Sequence, residues 1–168
     1  MNVNVRAMFQ IMSMSVPFLK DSKGTVVNVS ATAGSTPEPG ALVFSVSKSM
    51  VNMLTKCAAL ELAGFGIRVN AVAPGFVDTP ARKTPGEVTM ELTEAEYNQI
   101  KGKTAVATPL GNVVASPEEV ADSILWLASN DAGYVTGEIL TLDGGQSLTT
   151  NLHETHVQDM VYDLSVNV

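Results

Sequence analysis

A chain of 168 residues with 45% hydrophobic side chains has the length of one ordinary domain and the apolar material for a buried core. Its formal charge of −7, with 10 basic residues and none of them in a basic run, argues against a nucleic-acid partner, which needs clustered Lys and Arg. No apolar run approaches the roughly 18 residues of a membrane span, and the first residues lack the basic-then-apolar order of a signal peptide, so no membrane partner is expected and the cytoplasm is the expected compartment.

Taken in order, Val5–Leu19 reads as a helix rich in Met and Phe, apolar over much of its circumference and so expected to pack on more than one side. Pro17 is expected to mark its end. Asp21-Ser22-Lys23-Gly24 reads as a turn, and the β-branched run Thr25–Ser30 as a buried parallel strand. A Gly/Pro-containing link, Gly34 to Gly40, leads to the longest helical pattern, Ala41–Ala63, stopped by Gly64 and Gly66. Within it Cys57, the single cysteine, is expected to pack as a small residue beside Ala58, Ala59 and Leu60. Ile67–Val72 is a second buried strand, broken by Pro74-Gly75. Residues 78–110 are polar and carry Pro80, Pro85 and Pro109; a long segment of this kind often holds a binding lid, and Glu91–Ile100 reads as a short helix. Ser116-Pro117-Glu118-Glu119 has the capping-box form of a helix start, and that helix should run to about Ser129. Ile139-Leu140-Thr141-Leu142 is the last strand. Residues 1–147 form one domain on this reading, and 148–168 a tail of no assigned structure. Strands alternating with helices predict an α/β fold with a parallel sheet and right-handed crossovers.

The chemistry centres on Val43-Phe44-Ser45-Val46-Ser47-Lys48 and on the strand before it. Phe44 and Lys48 stand at i and i+4, on one helical face. A tyrosine at 44 would put a phenol beside an ammonium that favours phenolate, a general acid/base for a carbonyl or alcohol. Phe44 has no proton to give.

Several runs, in this order and spacing, carry a resemblance over Asn4 to Gly145. They are Asn28-Val29-Ser30-Ala31, Phe44-x-x-x-Lys48, Arg68-Val69-Asn70-Ala71-Val72-Ala73-Pro74-Gly75-Phe76-Val77-Asp78-Thr79, Val135–Leu140 and Asp143-Gly144-Gly145. Together they resemble the C-terminal portion of a short-chain dehydrogenase/reductase (SDR). The resemblance implies a partial Rossmann-like parallel sheet, with three strands visible where family domains have more. It places the family's catalytic Asn at Asn4 and its Lys at Lys48, while Ala31 and Phe44 occupy the Ser and Tyr positions. It also implies NAD or NADP as cofactor. Lys48 would meet the nicotinamide ribose, and Pro74, Gly75, Val77 and Thr79 would line the nicotinamide and pyrophosphate.

Two departures weigh against turnover. Each lost hydroxyl is worth about two to four powers of ten in rate. Ser30 should face the opposite side of the sheet from residue 31, and Ser45 and Ser47 should turn away from the Phe44 face. Tyr97, in the polar segment, could approach a substrate but is expected to lack a lysine partner. The second departure is the family's Gly-x-x-x-Gly-x-Gly turn, which lets backbone approach a pyrophosphate; the first glycine here is Gly24. Cofactor binding is therefore expected to be weak or absent. His153-x-x-His156, with Glu154 between, lacks an evident third ligand, and no metal is expected.

The resulting expectation is a catalytically silent, truncated SDR-like chain whose role, if any, is binding or oligomerisation. The alternative is an NAD(P)-dependent oxidoreductase acting on a carbonyl or alcohol. The resemblance implies that helices 5–19 and 41–63 pack against copies in a neighbouring subunit. A homo-oligomer, or association with a full-length relative, is expected. An open edge on Thr25–Ser30 would add a second site of association.

Overall fold

A computed structural model describes residues 1–37, 40–79, 93–111 and 113–149. The chain falls into two compact units, one of Met1–Val77 with Ala115–Leu142, the other of Asp78–Val114 with Asp143–Val168.

The first unit is a three-stranded parallel sheet with helices. Strands β1 (Thr25–Val29), β2 (Arg68–Pro74) and β3 (Ile139–Leu142) lie side by side in chain order. Thr25 is opposite Arg68, and Ala71 opposite Ile139. β2 is the central strand, and every residue of it after Arg68 is buried. That is why its buried residues, Asn70 apart, are apolar rather than alternating. β1 has one neighbour among the described residues, and it is not the fully buried strand the sequence suggested. Its first three residues are half-buried and Val29 is 44% exposed.

Helix α1 (Met8–Ser22) is preceded by a wider π-turn, Asn2–Ala7. Pro17 does not end it. The helix continues through residues free of Gly and Pro, and Ser22 Oγ donates back to the carbonyls of Phe18 and Leu19. It stops at Lys23, whose φ of 51° is left-handed. Nor is α1 packed on several sides: Met12 is its single buried residue, while Phe9, Ile11, Met14 and Phe18 are exposed.

Helix α2 (Leu42–Ala63) buries Ser47, Val51, Asn52, Thr55, Ala58 and Ala59. Its large apolar residues Met50, Met53 and Leu60 face outward, and Cys57 is exposed rather than packed. Small side chains let the helix lie close to the sheet, where Ala58 and Ala59 join Met12, Ile67 and Val69 in one core. Gly66, at φ +75°, makes the turn into β2.

Helix α3 (Glu94–Val106) belongs to the second unit. It extends well past Ile100 and is opened by a capping box: Thr93 Oγ1 accepts from Glu96 N, and Glu96 Oε2 accepts from Thr93 N. Helix α4 (Pro117–Ala128), in the first unit, starts as the sequence required, with Ser116 and Glu119 bonded reciprocally. Its open C-terminal carbonyls are met by a cation, since Arg68 donates to Leu127 O (2.8 Å) and Ser129 O (2.9 Å). Buried Asn70 holds the turn before β3, donating to Val135 O (2.9 Å) and accepting from Glu138 N (3.0 Å).

Candidate active site

In open parallel sheets, ligands bind beyond the carboxyl ends of the strands. At that end of β1, Ser30 extends the ladder by donating its N–H to Val72 O, and Ala31 follows in extended backbone before a tight turn, Thr32–Gly34. Ser30 is 3% exposed, and its hydroxyl donates to Asn52 Oδ1 (2.5 Å), with Lys48 O at 3.3 Å as a second acceptor. Asn52 Nδ2 in turn donates to Ser35 Oγ, and Ser49 Oγ to Gly34 O. The turn is thus fastened to α2 around Lys48. Gly34 has to be glycine for this approach, because a Cβ there would stand 2.8 Å from the Lys48 carbonyl carbon.

Lys48 is half-buried, and its ammonium donates to Val29 O at 2.9 Å. Burial holds its pKa below the ordinary lysine value. The ammonium lies 5.6 Å from the centroid of the Phe44 ring, at the outer range of a cation–π contact. Asn4 reaches the same turn of α2 from the π-turn, where its Nδ2 donates to Ser47 Oγ (3.0 Å) and Ser47 Oγ donates to Phe44 O (2.7 Å).

Asn4, Phe44 and Lys48 are therefore gathered on α2 and its neighbour, with Ala31 just beyond the strand end. On Lys48's face stands a phenyl ring, and at the strand end a methyl. The nearby serines do not replace the lost hydroxyls: Ser30 and Ser47 are committed to scaffold bonds, and Ser45 Oγ is buried without a partner.

At the end of β2, Pro74 is buried, Gly75 N donates to Leu142 O (2.9 Å), and Val77 bridges Ala115. Thr79 is half-buried and lies in the second unit. A nicotinamide ribose fits Lys48, since an ammonium has three donors and Val29 takes one. The pyrophosphate end has no matching glycine-rich run in these 168 residues. The chain's own residues thus fit the nicotinamide end of a dinucleotide alone.

Tyr97 departs from expectation twice. It is 2% exposed on α3, not open to a substrate, and its phenol donates to Asp78 Oδ1 (2.5 Å). It also has a lysine at i+4: Lys101 pairs with the other oxygen of the same carboxylate. The spacing Tyr97-x-x-x-Lys101 was the available signal. Glu91 and the His153, Glu154, His156 group fall outside the described residues. Among the described residues, no group of three or more His, Cys, Asp or Glu could hold a metal, and no helix is long and apolar enough to cross a membrane.

A family model for enoyl-(acyl carrier protein) reductase matches residues 1–147. The chain belongs to the short-chain dehydrogenase/reductase family. Among its SDR relatives, the 3-oxoacyl-(acyl-carrier-protein) reductase FabG of Thermotoga maritima is 41% identical over 145 residues, covering 86% of this chain and 54% of that protein. The (3R)-3-hydroxyacyl-CoA dehydrogenase of Rattus norvegicus is 34% identical over 145 residues, 85% of this chain and 51% of that protein. A crystal structure of an SDR of unknown function from Caenorhabditis elegans, solved with cofactor, superposes with a TM-score of 0.79 at 31% identity, covering 90% of this chain and 56% of that one. The fold is the Rossmann-like α/β sheet of the SDR family, and the chain spans about half the length of the curated relatives it matches.

Proposed function

We propose that this chain is a catalytically silent SDR that acts by association rather than turnover. The observation carrying this reading is the pair Ala31 and Phe44, a methyl and a phenyl ring beside a retained Lys48 and Asn4. Without the two hydroxyls, a substrate oxygen has neither its proton donor nor its hydrogen-bond partner. Binding of NAD or NADP to these residues is weak or absent, no tighter than about millimolar, because half of the anchoring contacts are missing and each ~1.4 kcal/mol is tenfold.

Association is favoured by two features. Phe9, Ile11, Met14 and Phe18 on α1, and Leu42, Val43, Met50, Met53 and Leu60 on α2, are exposed in the single chain. Exposed apolar side chains in this number mark an association site or an aggregation liability where they form a patch. β1 also presents an unpaired edge among the described residues. A homo-oligomer through the two helices, or a complex with a full-length relative, would cover these surfaces. The expected compartment is the cytoplasm.

The alternative, an NAD(P)-dependent oxidoreductase of carbonyls or alcohols, draws on the retained Asn4 and Lys48 and on relatives named for 3-oxoacyl and 3-hydroxyacyl substrates. One experiment separates the two. The purified chain is given a 3-oxoacyl thioester with NADH or NADPH, and cofactor absorbance is followed. No turnover above background is expected, nor from the Ala31→Ser, Phe44→Tyr double variant. Family-like rates would refute silence, and a micromolar binding isotherm for either cofactor would refute weak binding. Light scattering over a dilution series tests association: a single species of one chain mass at micromolar concentration would refute it.

A further inference from the structure

α3 is a polar helix with one buried residue, Tyr97. Glu94, Glu96, Asn98, Gln99 and Lys103 are exposed around it. Helices are ordinarily held in place by an apolar stripe, and that of α3 is thin, with half-buried Ile100 and Ala105 beside Tyr97. On this face Tyr97 and Lys101, one turn apart, converge on a single carboxylate. The Tyr97 phenol, shielded from water, donates to Asp78 Oδ1 at 2.5 Å, and the Lys101 ammonium pairs with Oδ2. We propose that Asp78 is the docking residue of α3: one ionised carboxylate, gripped by the Tyr97-x-x-x-Lys101 pair, fastens this helix within its own unit. The fastening is independent of whether the chain turns over a substrate.

The two donors differ in weight. A hydrogen bond from a desolvated phenol to a carboxylate is charge-assisted and strong. The ion pair is 37% exposed at Lys101 and 42% at Asp78, and pairs so open to water contribute little. The phenol should therefore dominate. Asp78→Asn keeps the shape and an acceptor but removes the charge. Tyr97→Phe keeps the buried ring and removes the donor. Lys101→Met removes the exposed partner only.

Hydrogen–deuterium exchange with mass spectrometry, on the whole chain and these three variants, tests the assignment. In Asp78→Asn and in Tyr97→Phe the amides of α3 are expected to exchange about tenfold to a hundredfold faster, as loss of a charged hydrogen bond implies. In Lys101→Met the change should stay within about threefold. Peptides covering β1 and β2 should be unchanged in all three. Unchanged α3 protection in either of the first two variants overturns the proposal. So does a Lys101→Met effect as large as theirs, which would transfer the fastening to the ion pair. Equal loss of protection in β1 and β2 also overturns it, because Asp78 would then support the whole fold, and so does an α3 without measurable protection in the parent chain.

Discussion

Phe44→Tyr would return a phenol to the face of Lys48 without asking the protein to do chemistry. The Lys48 ammonium stands 5.6 Å from the ring centroid, and Phe44 is 43% exposed. At that distance, with an effective dielectric of roughly 40 to 80 for so open a ring, a phenolate and the ammonium attract by about 0.7–1.5 kcal/mol. One pKa unit is about 1.4 kcal/mol, so the new phenol should titrate about half a unit to one unit below an ordinary tyrosine. Burial lowers the Lys48 pKa, which weakens its hold on the phenolate, so the shift should fall toward the smaller figure. The assay is phenolate absorbance, variant minus parent, because the parent contributes 3 tyrosines of its own. About 1 M salt should shrink the shift through screening, and Lys48→Met in the Phe44→Tyr background should abolish it. A phenol titrating at or above the ordinary value with Lys48 present, or one indifferent to Lys48→Met, would refute the reading that α2 keeps the electrostatic half of an acid/base pair.

Three further changes probe the frame around the site. Gly34→Ala would press a methyl to within 3 Å of the Lys48 backbone and Asn52 Nδ2; it should cost about 1–3 kcal/mol in a urea melt, and a neutral result would show that the turn shifts freely. Asn70→Ala strips partners from Val135 O and Glu138 N and opens a small void. A loss of about 2–4 kcal/mol is expected, and one below about 1 kcal/mol would mean water replaces the side chain. Burial alone would push the Asp143 carboxyl up, but bonds from Ser147 and Gly145 outweigh it and hold the group below its ordinary value. Its stabilisation is then full above the unfolded-chain value of about 3.9 and is lost as pH falls through the lower folded value. Asp143→Asn should be less stable than the parent near pH 6, with the gap narrowing as pH falls below about 3.9; a gap that stays constant with pH would refute the assignment.

The central strand was legible for a simple reason: β2 is buried on both faces, and its residues, apolar but for Arg68 and Asn70, show no alternation of apolar and polar faces. Ser116 and Glu119 announced α4 through side-chain chemistry local enough to read. Thr93 and Glu96 carry the same signal and start α3, which runs past the expected Ile100 to Val106. α2 shows the limit of periodicity. Its large side chains repeat at helical spacing, which gives the helix, but Met50, Met53 and Leu60 point outward. Apart from Val51, the buried face is made of Ser47, Asn52, Thr55 and two alanines, because proximity to the sheet mattered more than hydrophobic volume. At the site, Asn4, Ala31, Phe44 and Lys48 were placed by their motifs. Ser30, expected to face away from residue 31, is held by Asn52 and the Lys48 carbonyl. The bond from Lys48 to Val29 O depends on how α2 crosses the strand end, and no local pattern encodes that. Tyr97 and Lys101 were visible as a pair, yet the carboxylate that joins them lies across a long stretch of chain.

The three strands sit side by side in the order in which they are made, and this bears on time as well as shape. β1, α2 and β2 form one crossover whose parallel strands meet across 43 residues, as at Thr25 and Arg68. β3 must return across a longer span, 68 residues between Asn70 and Glu138. Loop closure costs more as the loop grows, and pairings closer in sequence form sooner. A ribosome delivering this chain would release everything the first crossover needs long before β3 emerges. That crossover is expected to gain protection first in a pulse-labelling refolding experiment, with β3 and its Asn70 latch added onto a half-built sheet.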